Sequence, residues 1–104
     1  MLDKLFATAF AAALAGPAFA GEAVSYEVGG APYEGYFAPA DNPRGLVLVI
    51  HDWDGLTEYE RRRADMLAEL GYDAFAVDMF GADVRPTEVD HKRALTGELR
   101  GDRA

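Results

Sequence analysis

The stretch Leu46-Val47-Leu48-Val49-Ile50-His51-Asp52-Trp53-Asp54-Gly55 decides the fold. Five consecutive apolar residues, three of them β-branched, run into a charged aromatic corner. Neither face of the apolar run carries a polar residue, so the run predicts a strand buried on both faces. His51 to Gly55 predicts a loop at the C-terminal end of that strand. Open α/β sheets collect ligands and chemistry at such ends.

The segments on either side extend the pattern. Before the run, Val24 to Val28 alternates apolar and polar, the period of a half-buried strand. Gly29-Gly30 signals a tight turn, and Tyr33 to Phe37 alternates again, so the two segments predict an antiparallel hairpin. Pro39 to Pro43 is a turn-rich connector. After the corner, Thr57 with Glu60 three residues on is a capping box that starts a helix at Glu58. Tyr59, Arg63, Met66, Leu67 and Leu70 share one face of it, and Gly71 takes the C′ position that closes it. Tyr72 to Val77 reads as a second buried strand. Leu46 to Val77 is therefore a βαβ unit with a parallel pair and a right-handed crossover. Pro86-Thr87-Glu88 opens a further helix with Thr87 as its cap and a weak stripe of Val89, Lys92, Leu95 and Leu99. Gly101-Asp102 reads as a stop followed by a fresh cap.

Composition bounds the function. The chain has 104 residues, 10 Lys/Arg against 18 Asp/Glu, a net charge of −8 and no Cys. Such a surface repels nucleic acid and anionic lipid. Leu5 to Ala15 is an apolar run too short to span a bilayer, Gly16-Pro17 breaks it, and Ala18-Phe19-Ala20 is a small-x-small cleavage site. Residues 1–20 are thus expected to be a signal peptide and residues 21–104 an exported periplasmic or secreted chain with no integral membrane segment after cleavage. Without disulfides, its core alone must hold it.

The ordered set His51-Asp52-Trp53-Asp54-Gly55, the Arg61-Arg62-Arg63 helix, Leu67 to Tyr72, and Ala76 to Gly81 resembles the dienelactone hydrolase family of α/β-hydrolases. The resemblance covers most of residues 24–104. It implies an α/β fold of which this chain carries the N-terminal part: an antiparallel hairpin and then a βαβ unit with parallel strands. It also implies nucleophilic opening of small-molecule esters or lactones by Cys or Ser, with His as base, Asp as orienter and no cofactor. By the same resemblance the backbone N–H of Trp53 is an oxyanion donor, and Asp52 is the acid that modulates ionisation of the nucleophile. Family members more often carry Glu there, followed by two bulky residues; Asp54 in place of the second implies a more anionic corner.

The catalytic elbow Gly-x-Cys/Ser-x-Gly is not encoded in these residues. Ser25, the single serine, lies in the alternating first strand. The chain alone is therefore expected not to turn over esters. His51 reads as a loop-shaping residue rather than a base, and Asp78 as a turn-forming one. Arg63, set among apolar neighbours, is either a snorkelling side chain or the partner of Asp52, Asp54 or Asp78 in a buried pair. His51, Asp52, Asp54, Asp78 and His91 offer metal-ligand atoms, but not at the spacing of a closed ligand set, and no metal is expected. A different class of function, a short non-catalytic exported binding module, would have to expose the most hydrophobic strand.

Overall fold

The computed structural model describes residues 20–102; the expected leader lies outside them apart from Ala20. Strands β1 (Glu22–Val28) and β2 (Ala31–Ala38) form the expected hairpin. They are joined by Gly29 and Gly30 at φ 59° and 83°. Two successive positive φ values make a type I′ turn, whose twist matches that of the flanking strands. Strand β3 (Leu46–Ile50), helix α1 (Glu58–Glu69) and strand β4 (Asp73–Val77) form the βαβ unit, with β3 parallel to β4 in the register Leu46–Asp73 to Ile50–Val77. Helix α2 (Val89–Gly101) follows. No helix among the described residues is long and apolar enough to cross a membrane.

Both ends of α1 are closed by the devices written in its sequence. The Thr57 N–H donates to Glu60 Oε1 at 2.8 Å, and Tyr59 N–H donates to Thr57 Oγ1 at 3.3 Å. At the other end Gly71, at φ 100°, lets its own N–H reach the Ala68 carbonyl and the Tyr72 N–H reach the Leu67 carbonyl, both at 3.0 Å. This is the Schellman arrangement that satisfies the last carbonyls of a helix.

The four strands form one mixed sheet in the order β1-β2-β4-β3. Strand β2 is antiparallel to both β1 and β4, so the hairpin abuts β4 and not β3. Helix α1 covers one face. The core there is Tyr36, Ala38, Ala74 and Ala76 from the sheet, Ala64 from the helix and Leu56 from the corner loop, with Val49, Leu67 and Ala68 packed against it. Four of the six buried residues are alanines, which lets helix and sheet approach closely and fixes which helix stripe faces inward.

That stripe differs from the expected one. Glu60 and Ala64 are the buried residues of α1. Tyr59, Met66 and Leu70 are exposed, because an alanine-lined sheet has no room for them. Glu60 is tolerated inside because its carboxylate is held by the Thr57 N–H and hydroxyl. Arg63 lies on the outer side, its guanidinium 5.0 Å from the Tyr59 ring centroid and in contact with the Met66 sulfur, so it forms no buried pair with Asp52, Asp54 or Asp78. Strand β3 also differs: it is the open edge of the sheet, and Leu46, Leu48 and Ile50 are 63 %, 56 % and 57 % exposed. At α2 the N-cap is Glu88, which makes no side-chain capping bond, rather than Thr87, and Asp102 is the C-cap of α2 rather than the start of another helix. With Arg63 solvent-facing, Arg63→Leu is expected to change the unfolding free energy by no more than about 0.5 kcal/mol in denaturant titration, where a buried pair would give about 3–5 kcal/mol.

Candidate active site

The corner after β3 is built from its own backbone. The Gly55 N–H donates to the Asp52 carbonyl at 3.1 Å, closing a turn with Trp53 and Asp54 at its centre. Asp52 Oδ1 accepts from the Asp54 N–H at 3.0 Å, a side-chain turn that stiffens the first. Gly55 has φ 83°, and a Cβ there would meet the Val84 carbonyl at 3.1 Å and the Phe80 ring at 3.2 Å. Glycine is required both by the backbone conformation and by the loop that crosses behind it.

His51 ties this turn to the neighbouring strand. Its Nε2 accepts the Met79 N–H at 3.0 Å. A nitrogen that accepts carries no proton, so Nδ1 is protonated and donates to the Asp52 carbonyl at 2.7 Å. The ring is buried and packs on Phe80 with centroids 4.7 Å apart. With both nitrogens committed to backbone groups, the imidazole shapes the loop and has no lone pair left for a substrate proton.

Asp78 organises the loop after β4. It is 2 % exposed. Its Oδ1 accepts from the N–H groups of Phe80 and Gly81 at 3.1 and 3.0 Å, and its Oδ2 from Glu34 N–H at 3.0 Å. The Tyr26 hydroxyl donates to the Asp78 carbonyl at 2.7 Å and accepts the Asp78 N–H at 2.9 Å, which joins β1 to the same loop. Burial pushes the Tyr26 phenol above its usual value. Arg85 lies 3.5 Å from Asp78 Oδ1 and donates to the carbonyls of Gly81 and Val84. This carboxylate thus holds the turn after β4.

Helix α2 brings side chains to the corner that sequence spacing did not connect with it. Lys92 ion-pairs with Asp54 and stands 5.3 Å from the centroid of the Trp53 ring. Asp54 is therefore compensated, and the corner is less anionic than two successive acids imply. Thr96 and Leu99 join His51, Asp52, Trp53, Met79 and Phe80 around a pocket of about 180 Å³. Trp53 is 42 % exposed at its rim. Asp52 is exposed, with Oδ1 turned to its own loop. The backbone N–H of Trp53 makes no hydrogen bond among the described residues. His91 stands exposed on α2, and among the described residues no group of three His, Cys, Asp or Glu side chains is placed to hold a metal ion.

Substitution at His51 separates shape from hydrogen bonding. His51→Phe leaves the Met79 N–H without a partner and the Asp52 carbonyl with only the Gly55 N–H, and is expected to cost about 2–4 kcal/mol in denaturant unfolding, from about 1–3 kcal/mol for the unmet N–H and about 1 kcal/mol for the second lost bond. His51→Gln places an amide oxygen toward Met79 N–H and is expected to recover at least half of that loss. Little loss in His51→Phe with a larger loss in His51→Gln would show that ring packing alone matters.

A family model for the dienelactone hydrolase family matches residues 33–103. No curated protein matches the chain. Among solved structures, a chain named m3DLH is similar with a TM-score of 0.73 and 28 % identity over 80 % of this chain and 36 % of its own. A dienelactone hydrolase-like promiscuous phosphotriesterase from metagenomic libraries is similar with a TM-score of 0.70 and 30 % identity over the same shares. The chain thus spans about a third of the length of those two structures. With the family model matching more than half of its length, the chain belongs to the dienelactone hydrolase family.

Proposed function

We propose that these residues form the first part of a hydrolase domain that opens ester or lactone bonds of small molecules by nucleophilic attack. The observation that carries this reading is the Trp53 N–H, a backbone donor without an acceptor at the C-terminal end of a parallel strand. It stands on a turn held by the Gly55–Asp52 bond, the Asp52 side chain and His51. Attack on a carbonyl moves negative charge onto its oxygen. A donor already fixed in place stabilises that charge without reorganising, which is the main electrostatic contribution in such sites. A second donor would come from the residue after the nucleophile, on a strand-to-helix elbow. Asp52 keeps one carboxylate oxygen free of its turn, and in this reading that oxygen modulates ionisation of the nucleophile.

The nucleophile is not Ser25. That residue lies on β1, at the opposite edge of the sheet from β3. Without an elbow, base and orienting acid, what remains is a donor and a pocket wall, which give at most a residual effect. The exposed Leu46, Leu48 and Ile50 favour the same view, since a parallel strand of this composition is covered on both faces in α/β proteins. They also give a non-catalytic binding module its one point of support. Export to the periplasm, from the leader-like residues 1–20, is part of the reading.

The test has two arms. The purified 104-residue chain is expected to hydrolyse neither a nitrophenyl ester nor an aryl phosphotriester above buffer. The same chain extended through a Gly-x-Cys/Ser-x-Gly elbow, by its own downstream coding sequence or by the complementary region of the phosphotriesterase, is expected to gain turnover. Clear turnover by the unextended chain would contradict the assignment of nucleophile and base to residues outside it. A folded, extended chain with no turnover on either substrate would favour the binding module.

A further inference from the structure

Gly21 stands one residue beyond the Ala18-Phe19-Ala20 motif and directly before β1. Its N–H donates to the Tyr36 hydroxyl at 2.7 Å, and that hydroxyl donates to Asp65 Oδ1 at 2.6 Å. The other carboxylate oxygen, Asp65 Oδ2, accepts from the Ala20 N–H at 3.4 Å. A Cβ on residue 21 would stand 2.1 Å from the Phe37 carbonyl oxygen and 2.9 Å from the Ala38 Cα, so glycine alone fits. Strand β2 and helix α1 thus bring two oxygen-bearing side chains to one point of the chain, one of them the buried Tyr36 of the core.

We propose that this arrangement is a seat for a newly made chain terminus: proteolytic removal of residues 1–20 leaves the α-ammonium of Gly21 hydrogen-bonded to Tyr36 and ion-paired with Asp65. The hydrolysis consumes one water, turns the Ala20 carbonyl into a carboxylate and the Gly21 nitrogen into an ammonium. The same cut removes the Ala20 N–H and frees Asp65 Oδ2. A peptide N–H offers one donor; an ammonium offers three, enough for the hydroxyl and the carboxylate together. Bonds from an ionised donor to a carboxylate are about twice as strong as neutral ones. The neighbouring charges are Asp65 and Arg61 from α1 and Glu22 from β1. Arg61 acts against the ammonium and Glu22 with it, while Asp65 is the group bonded into the seat. Burial, and after it the bond to Asp65, push the Tyr36 phenol up to about 12, so it remains a hydroxyl while the terminus titrates.

Only the cleavage step rests on the export reading, so seat and cleavage are measured apart. The six secondary-structure elements of the described residues lie within Gly21–Ala104. That chain is made with a free terminus and with an Nα-acetyl group, and followed by NMR titration of the terminus and by thermal unfolding against pH. The free ammonium is expected to titrate about one unit above the ordinary value of about 8, a tenfold shift. A group whose folded value is raised stabilises below its unfolded value and loses that contribution as pH rises through the folded one. The free chain should therefore unfold at higher temperature than the acetylated chain at pH 6, with the lead gone by about pH 10. Asp65→Asn should return the midpoint to about 8 and erase the lead. A midpoint at or below 8, or equal unfolding temperatures at pH 6, overturns the proposal. Cleavage is read from the mass of the exported chain, expected to start at Gly21; any other start takes the ammonium out of the seat and also overturns it, leaving the hydrolase reading untouched.

Discussion

The His51 imidazole joins the ends of the two parallel strands, and the candidate site depends on that link. One nitrogen holds the carbonyl of Asp52 after β3 and the other holds the N–H of Met79 after β4. Parallel strands end side by side and leave their last backbone groups pointing into the loops that follow. Those groups cannot stay unmet beside a packed ring, and a neutral imidazole with one donor and one acceptor meets both. From this link the turn at Asp52–Gly55 takes its position, and with it the Trp53 N–H. On the β4 side Asp78 does comparable work for the next loop, its backbone tied through the Tyr26 hydroxyl to β1 and its carboxylate through the Glu34 N–H to β2. The corner is therefore stiff because three strands hold it from behind.

The alanine-rich interface between α1 and the sheet explains much of the remaining shape. Ala38, Ala64, Ala74 and Ala76 are fully buried. Close approach leaves the large apolar residues of α1 outside and gives a small core for a chain of this length. The other face of β3, with Leu46, Leu48 and Ile50, and the outer stripe of α1, with Tyr59, Met66 and Leu70, are both open. The chain spans about a third of the length of the two solved structures named above.

Local chemistry was the part of the fold legible in the sequence. Gly29-Gly30 named its turn, Thr57 and Glu60 named the start of α1, Gly71 named its end, and the two apolar runs named the parallel pair. These features depend on residues a few positions apart. The inward stripe of α1 was legible only at Leu67, because Tyr59, Met66 and Leu70 outweigh Ala64 on any hydrophobicity count while the alanine-lined sheet takes Ala64, Leu67 and Ala68. Nor was the arrival of Lys92 at Asp54 and Trp53, which depends on the path of the loop between β4 and α2. The closing of the loop after β4 by Arg85, which reaches Asp78 and the Gly81 and Val84 carbonyls, was not legible either. At the site, His51, Asp52 and Trp53 were singled out from their place after a buried strand. Their hydrogen bonds, which separate a loop-shaping histidine from a base, come from the packing of β3 beside β4.

The central claim is that the Trp53 N–H acts as an oxyanion donor, and proline tests it. Trp53 holds the second position of its turn, where proline is well accepted in common turn types, so Trp53→Pro removes the N–H while leaving the turn. Trp53→Ala removes the indole and its contact with Lys92 but keeps the donor. In the extended, active chain, steady-state kinetics are expected to give a kcat about 10²–10³ lower for Trp53→Pro than for Trp53→Ala, the effect of losing one such donor. Equal kcat in the two variants, with both folded, would contradict the account.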